Sequence, residues 1–265
     1  MKISIVTIVL NDKQNIEKTI QSVLVQKGCF EYIIIDGGSI DGTLDIIKKY
    51  KDRIDIFISE KDNGIVDAFN KGIKIASGDI IGIVNSGDFL EKDALSIVVQ
   101  NFDADKDIVY GDVQYWNKDK KDYIYSANHN YLDKFMSINH PAVFVRKSLY
   151  GRLGVFDKNY PIAMDYELLL RFYVNGAKFK YISKVLSNMA LGGVSDVNWR
   201  KAYEEAYEIR KKYLGFSLGL YFDYIFQVLK RHISDFLSRT GLEKLKKIYR
   251  NRFSRIKKQI DEISI

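Results

Sequence analysis

The stretch Ile80-Ile81-Gly82-Ile83-Val84-Asn85-Ser86-Gly87-Asp88 decides how the rest of the chain is read. An unbroken apolar run is what a strand covered on both faces requires, and this one stops abruptly at a polar turn closed by a carboxylate. In an open α/β sheet the ligands sit beyond the carboxyl ends of the strands, so the turn is the first candidate for chemistry. Asp88 offers a hard oxygen to a divalent cation, and Gly87 lets backbone and ligand approach closely. The alternative for Asp88 is a turn residue capping a helix that begins near Glu91.

Outward from this turn, the first hundred residues alternate strand and helix patterns. Apolar runs at 3–10, 32–35, 54–58 and 80–84 read as strands, and helical periodicity occupies 13–26, 41–50 and 64–77. Strands alternating with helices across short turns predict a doubly wound, mostly parallel sheet with helices on both faces. A further helix is expected from Glu91 to about Asn101, with Glu91 and Asp93 in its first turn, where acids suit the helix dipole. After residue 105 the strands turn rich in tyrosine and valine, at 107–116, 123–126 and 141–146. Asp165 is placed to cap the helix that follows it, strand character returns at 179–186, and everything from Asn198 onward reads as helical.

With 265 residues, 46% of them hydrophobic, the chain can bury a substantial core. The single cysteine, Cys29, excludes an intramolecular disulfide framework, and a reducing, cytoplasmic setting is expected. No Cys/His cluster has zinc spacing. Met1-Lys2 and the apolar run behind it superficially resemble a signal peptide, but Asn11 and Asp12 follow at once and a buried first strand is the better reading. No stretch reaches the roughly 18 apolar residues that span a bilayer. The first strand lacks a following G-x-G-x-x-G, and G-x-x-x-x-G-K-[ST] is absent, which argues against dinucleotide oxidoreductases and P-loop enzymes.

The second strand ends in Asp36-Gly37-Gly38-Ser39-Ile40-Asp41-Gly42-Thr43. Two glycines permit a tight turn, and the next helix aims free N–H groups at the sheet edge, which suits an anion. Asp36 either reaches a base N–H or ribose hydroxyl, or belongs to a plain strand-to-helix turn.

Taken in order, Thr7-Ile8-Val9-Leu10-Asn11, the Asp36 to Thr43 turn, Asp62-Asn63-Gly64, Asn70-Lys71-Gly72 and Asn85-Ser86-Gly87-Asp88 closely resemble the motifs of the family 2 glycosyltransferases of the GT-A fold. Asn139-His140-Pro141-Ala142-Val143-Phe144 and Ala163-Met164-Asp165-Tyr166-Glu167-Leu168 resemble the later motifs, so the likeness covers about residues 1–190. It implies a Rossmann-like GT-A domain over 1–195, with a nucleotide-binding half at 1–104, an acceptor-binding half at 105–195, and a basic helical region at 196–265. It implies that Thr7, Val9 and Asp36 contact the uracil or ribose of a UDP-sugar, with Asn11, Gly38, Asn63, Lys71, Asn85, Ser86 and Gly87 completing the donor site. Asp88 matches the last carboxylate of the motif that holds Mg²⁺ or Mn²⁺ against the diphosphate, and Asp165 matches the catalytic base. His140 is a second candidate for the metal or diphosphate, or a structural histidine beside Pro141. Lys71 also stands four residues after Asp67, as a surface ion pair would.

The implied activity is inverting, metal-dependent transfer of a sugar from a nucleotide sugar to a hydroxyl of a bacterial cell-surface glycan or a lipid-linked saccharide. This sequence departs from the pattern at Val9, Gly87 and Met164, where the family often has tyrosine, aspartate and an acid. A decayed site would instead make a non-catalytic nucleotide-sugar-binding or scaffold protein.

The net charge of +7 sits wholly in the tail: from Lys230 to Ile265 there are eleven Lys or Arg and four acids. Leu218, Tyr221, Phe222, Ile225, Leu229, Ile233 and Phe236 recur at helical spacing, as do Leu242, Leu245, Tyr249, Phe253, Ile256, Ile260 and Ile263, which predicts two amphipathic helices. Their partner is an anionic membrane surface, a second copy in a homodimer, or the catalytic domain itself. Nucleic acid is disfavoured, since no binding motif accompanies the charge.

Overall fold

The computed structural model of the chain describes residues 1–117, 119–240 and 257–258. Four parallel strands form its first half: β1 (Ile3–Val9), β2 (Phe30–Asp36), β3 (Ile56–Ser59) and β4 (Ile80–Ile83), ordered β4-β1-β2-β3. Between them run α1 (Ile16–Leu24), α2 (Thr43–Lys48) and α3 (Ile65–Ile75), as the periodicity predicts. Side-chain alternation explains the two covers. Ile3 and Ile5 of β1 pack with Ile16, Ile20 and Val23 of α1, whereas Val6 and Ile8 pack with Phe69 and Ile73 of α3.

Past β4 a two-residue strand, β5 (Phe89–Leu90), leads to α4 (Ala94–Asn101). Here the expected helix start is corrected. Asp93 is the residue before the helix, in left-handed backbone conformation, and Glu91 lies outside it, so the first turn holds no acid. The second half is mixed: β6 (Ile108–Asn117), β7 (Lys120–Tyr125), β8 (Val143–Arg146), α5 (Lys147–Leu153), α6 (Met164–Val174) and β9 (Phe179–Ala190). Pro141 falls in a short 3-10 turn ahead of β8, since its ring leaves no N–H to give to a strand. β8 runs antiparallel between β4 and β6, and this joins the two halves into one sheet.

A short α7 (Val194–Val197) precedes the long helices α8 (Trp199–Leu214) and α9 (Leu218–Arg239). Ile209 of α8 is fully buried in the same core as Leu168, Leu169 and Phe172 of α6. The second amphipathic helix expected from Leu242 lies outside the described residues, except that Lys257–Lys258 form β10, an antiparallel strand against β7 and not a helical turn.

Gly82 is the small residue of the central strand. A β-carbon there would lie 2.7 Å from Cε1 of Phe144, its cross-strand partner, and 3.0 Å from Cδ1 of Ile5. Gly82→Ala is expected to cost about 1–3 kcal/mol of stability through overpacking. Urea titration checks it, and Phe144→Leu in the same chain should recover part of the loss.

Candidate active site

The carboxyl ends of β1, β2 and β4 are laced together by short polar side chains. The Asn11 amide donates to Ser39 Oγ at 2.7 Å, and Asn11 Oδ1 accepts from the Ile40 amide at 2.9 Å. Asp12 joins β1 to both neighbours: its amide donates to Thr43 Oγ1 at 3.0 Å, and its Oδ2 accepts from Ser86 Oγ at 2.6 Å. Asp36 is fully buried, and its carboxylate accepts from the amides of Gly38 and Ser39 and from Ser59 Oγ, so it orders the turn that it begins. Gly38 sits at φ +90, where a β-carbon would be strained. Thr7 and Val9 are likewise buried, the Thr7 hydroxyl 3.2 Å from that of Tyr32.

Of the predicted donor residues, Asn11, Gly38, Asn63, Asn85, Ser86 and Gly87 are therefore the ones at the surface of the mouth. Asn63 is exposed in the turn before α3. Lys71 is engaged in ion pairs, 2.8 Å from Glu60 and 3.3 Å from Asp67, and Lys158 reaches Asp67 as well.

Asp88 is buried behind this rim. Its amide donates to the Asn85 carbonyl, and its own carbonyl accepts from Thr19 Oγ1 at 2.7 Å. Burial above all pushes its carboxyl up to about 8; a hydrogen bond with the Asn85 side chain opposes the rise, and the charges of Asp165 and Asp12 add to it. The second carboxylate thus acts on the first from almost eighty residues away. Antiparallel β8 enters the sheet beside the carboxyl end of β4, which brings Asn139 and His140 to the same end as Asn85.

Asp165 is not the N-cap of its helix. α6 starts at Met164, the cap position is Ala163, and the amides of Ile162 and Ala163 donate instead to Glu205 Oε2 of α8, at 2.9 and 2.7 Å. The carboxylate of Asp165 is not spent on capping, and its Oδ1 is buried without a hydrogen-bond partner. Burial raises the pKa of this group, and the His140 charge opposes the rise. Asn85 Oδ1, Asn139 Nδ2 and His140 Nδ1 are buried and unpartnered too. All four of these residues line one cavity of about 440 Å³, which continues between tyrosines 115, 125, 166, 203, 207 and 224. Buried polar atoms are nearly always paired, so four orphans around one opening mark where a polar ligand belongs.

Among the described residues no three His, Cys, Asp or Glu side chains gather as a metal cluster. A magnesium-type ion that shares a substrate diphosphate needs only one or two carboxylates and otherwise keeps water. Asp88, a carboxylate pushed up by burial and further by two others, fits that role because a cation would offset both the lost hydration and the like charge. Asp12, the role of Asn139, and Glu205 are additions that the sequence reading lacks. Asp12 carries a signal in standing directly beyond a buried strand, whereas Glu205 in mid-helix carries none.

Residues 4–171 match the family described as Glycosyl transferase family 2. The chain is 30% identical over 185 residues to a PGL/p-HBAD biosynthesis glycosyltransferase of Mycobacterium tuberculosis, covering 64% of this chain and 69% of that protein. It is 30% identical over 172 residues to the chondroitin synthase of Escherichia coli, covering 62% of this chain but 25% of that longer protein. Among solved structures, S. aureus TarS 1–349 in complex with UDP-GlcNAc superposes with TM-score 0.65 at 20% identity, covering 88% of this chain and 73% of that one. The mannosyltransferase PcManGT from Pyrobaculum calidifontis, in complex with GDP-Man and Mn²⁺, gives TM-score 0.63 at 16% identity over 81% and 64% of the two chains. These two likenesses show the fold.

The raised carboxyl of Asp88 fixes a sign. A folded-state value of about 8, against an unfolded one of about 3.9, means that its stabilising protonated form is complete below pH 4 and lost as pH rises through 8. With chelator present, Asp88→Asn should melt higher than the parent chain, by a margin that grows from pH 5 to pH 8. A margin that does not change with pH would contradict the burial of this charge.

Proposed function

The chain belongs to glycosyl transferase family 2, and from that premise we propose that it transfers a sugar, with inversion, from a UDP-linked donor to a hydroxyl of a bacterial cell-surface glycan or lipid-linked saccharide. The observation that carries this reading is the unpartnered Oδ1 of Asp165 in the wall of the cavity that Asn85 shares, with Asp88 three residues beyond Asn85. Solved proteins of the same fold hold UDP-GlcNAc, UDP, or GDP-Man with Mn²⁺, which supports a nucleotide-diphosphate donor.

Displacing a diphosphate from an anomeric carbon leaves negative charge on the departing oxygen, and the attacking hydroxyl must lose a proton. Asp165 is suited to take that proton. One of its oxygens is free, and burial raises its pKa, which makes it a stronger base than an exposed carboxylate. Inversion by single displacement needs one such carboxylate, whereas retention through a covalent intermediate needs a second as nucleophile. Asp88, with His140 as the second protein donor, would hold Mg²⁺ or Mn²⁺, which when bound supplies positive charge to the leaving diphosphate. Asn11, Gly38, Asn63, Lys71, Asn85, Ser86 and Gly87 are assigned to the donor, while Thr7, Val9 and Asp36 shape the floor beneath it.

The tyrosine-lined continuation of the cavity is assigned to the acceptor. Aromatic faces with hydroxyl tips give apolar contact and hydrogen bonds together, which suits a saccharide or its carrier. A lipid-linked acceptor would place the enzyme on the cytoplasmic face of the membrane.

Asp165→Asn should leave UDP affinity unchanged while lowering donor turnover by roughly 10²- to 10⁴-fold, the usual worth of a general base. Unchanged turnover would remove Asp165 from the reaction. Asp88→Ala should abolish the part of UDP binding that calorimetry finds to depend on Mn²⁺. Equal UDP binding by the parent chain in Mn²⁺ and in chelator would overturn the cation role.

A further inference from the structure

α9 is amphipathic in the wrong sense for a helix packed only on its own domain. Leu218, Phe222, Phe226, Leu229, Ile233 and Phe236 are all exposed, from 47% to 67%. At the pitch of an α-helix they fall within about 80° of arc and run about 27 Å along the axis. Phe216, in the turn before the helix, extends the stripe and is also exposed. The polar residues point the other way: Asp223 pairs with Arg210 of α8 at 2.7 Å, and Arg231 lies between Asp196 and Asp235 at 3.5 and 3.1 Å. An apolar stripe of this length facing water marks a contact surface.

Two occupants fit an apolar stripe, a lipid surface or a second copy, and charge separates them. The chain from Lys230 onward carries eleven basic residues and four acidic ones. By its sequence this basic excess of +7 is repelled by a second copy of itself and attracted by an anionic bilayer. No helix among the described residues is long and apolar enough to cross a membrane, so the contact is with the surface.

We propose that the outer face of α9 seats on an anionic lipid bilayer. Its inner face walls the cavity that holds Asp165, through Tyr224, Gln227 and Lys230. Seating α9 at the headgroup level therefore brings the acceptor end of the cavity to the membrane surface. The contact stands on α9 alone; the consequence for the acceptor rests on the sugar-transfer reading.

The test uses the full chain, sedimented with vesicles of phosphatidylglycerol and phosphatidylcholine, and with phosphatidylcholine alone. The parent chain should be retained on the anionic vesicles, and Phe222→Ser, Phe226→Ser and Ile233→Ser together should weaken retention by roughly tenfold or more. UDP affinity, measured without vesicles, should be the same in both proteins, so a failure of the docking face is distinguishable from a failure of the donor site. Phe222→Trp keeps the apolar surface whatever the triple change does to folding, and it should gain blue-shifted emission on anionic vesicles. Equal retention of parent and triple variant, equal retention on neutral vesicles, or no spectral shift would overturn the proposal. So would a dimer by sedimentation velocity that the triple change dissociates while vesicle retention is absent, since a second copy would then own the face.

Discussion

The structure is organised around a buried acid. Burial above all, with the charges of Asp165 and Asp12 adding to it, pushes the carboxyl of Asp88 up to about 8. A fold gains nothing in stability from holding carboxylates this way, because desolvation and like charge both raise the cost of ionisation. Such an arrangement persists where the rest of the chain over-determines it, and here three elements do so. β4 delivers Asp88, β8 brings His140 to the same end of the sheet, and α6 presents Asp165 from its first turn. The positive end of the helix favours the ionised form of Asp165 and so works against its burial.

The division of labour around Asp165 shows why the C-terminal helices belong to the site. A carboxylate in the first turn of a helix is ordinarily drawn into capping the free amides. Here Asp165 is not so drawn and its Oδ1 stays without a partner, while Glu205 of α8 accepts from Ile162 and Ala163 just ahead of the helix. α8 is also bound into the core of the catalytic half through Ile209, and Tyr203 and Tyr207 close the cavity. The helix that follows the family's matched region therefore completes the surroundings of a residue inside it.

The parallel half of the sheet was legible because its strands are apolar-rich stretches bounded by polar turns, and each helix shows one apolar face. The same runs do not say which polar groups beyond them stay free. Asp36 and Thr7 stand where a ligand could be met, yet local geometry turns them inward, towards the Gly38 and Ser39 amides and the Tyr32 hydroxyl. The helix expected to follow Asp165 starts two residues earlier, at Met164, and the Ala163 amide is held by Glu205, a tertiary contact without local signature. The start of α4 fails differently, for Asp93 takes a left-handed conformation that its neighbours in sequence do not announce. Asn139 and His140 reach the site through the antiparallel register of β8 against β4, which no pattern within either strand specifies.

α9 presents the opposite case, where periodicity is plain in the sequence and only the structure tells which side faces out. The amphipathic pattern alone leaves a membrane surface, a second copy and the domain itself all open as the cover of the apolar face. The ion pairs of Asp223 with Arg210 of α8 and of Arg231 with Asp196 of α7 hold the polar face inward, and pairing makes its partial burial tolerable. Tyr207 of α8 packs against Tyr221 and Tyr224 of α9, so the pair is held by aromatic edges and ion pairs, and the apolar stripe is left over. The same economy appears at both ends of the cavity. Near α6, Glu205 of α8 holds the amides of Ile162 and Ala163 just ahead of the helix that carries Asp165, and near α9, Arg210 of α8 and Asp196 of α7 hold the polar face. In both places α8 supplies a partner, so the surroundings of the cavity extend past the family's matched region.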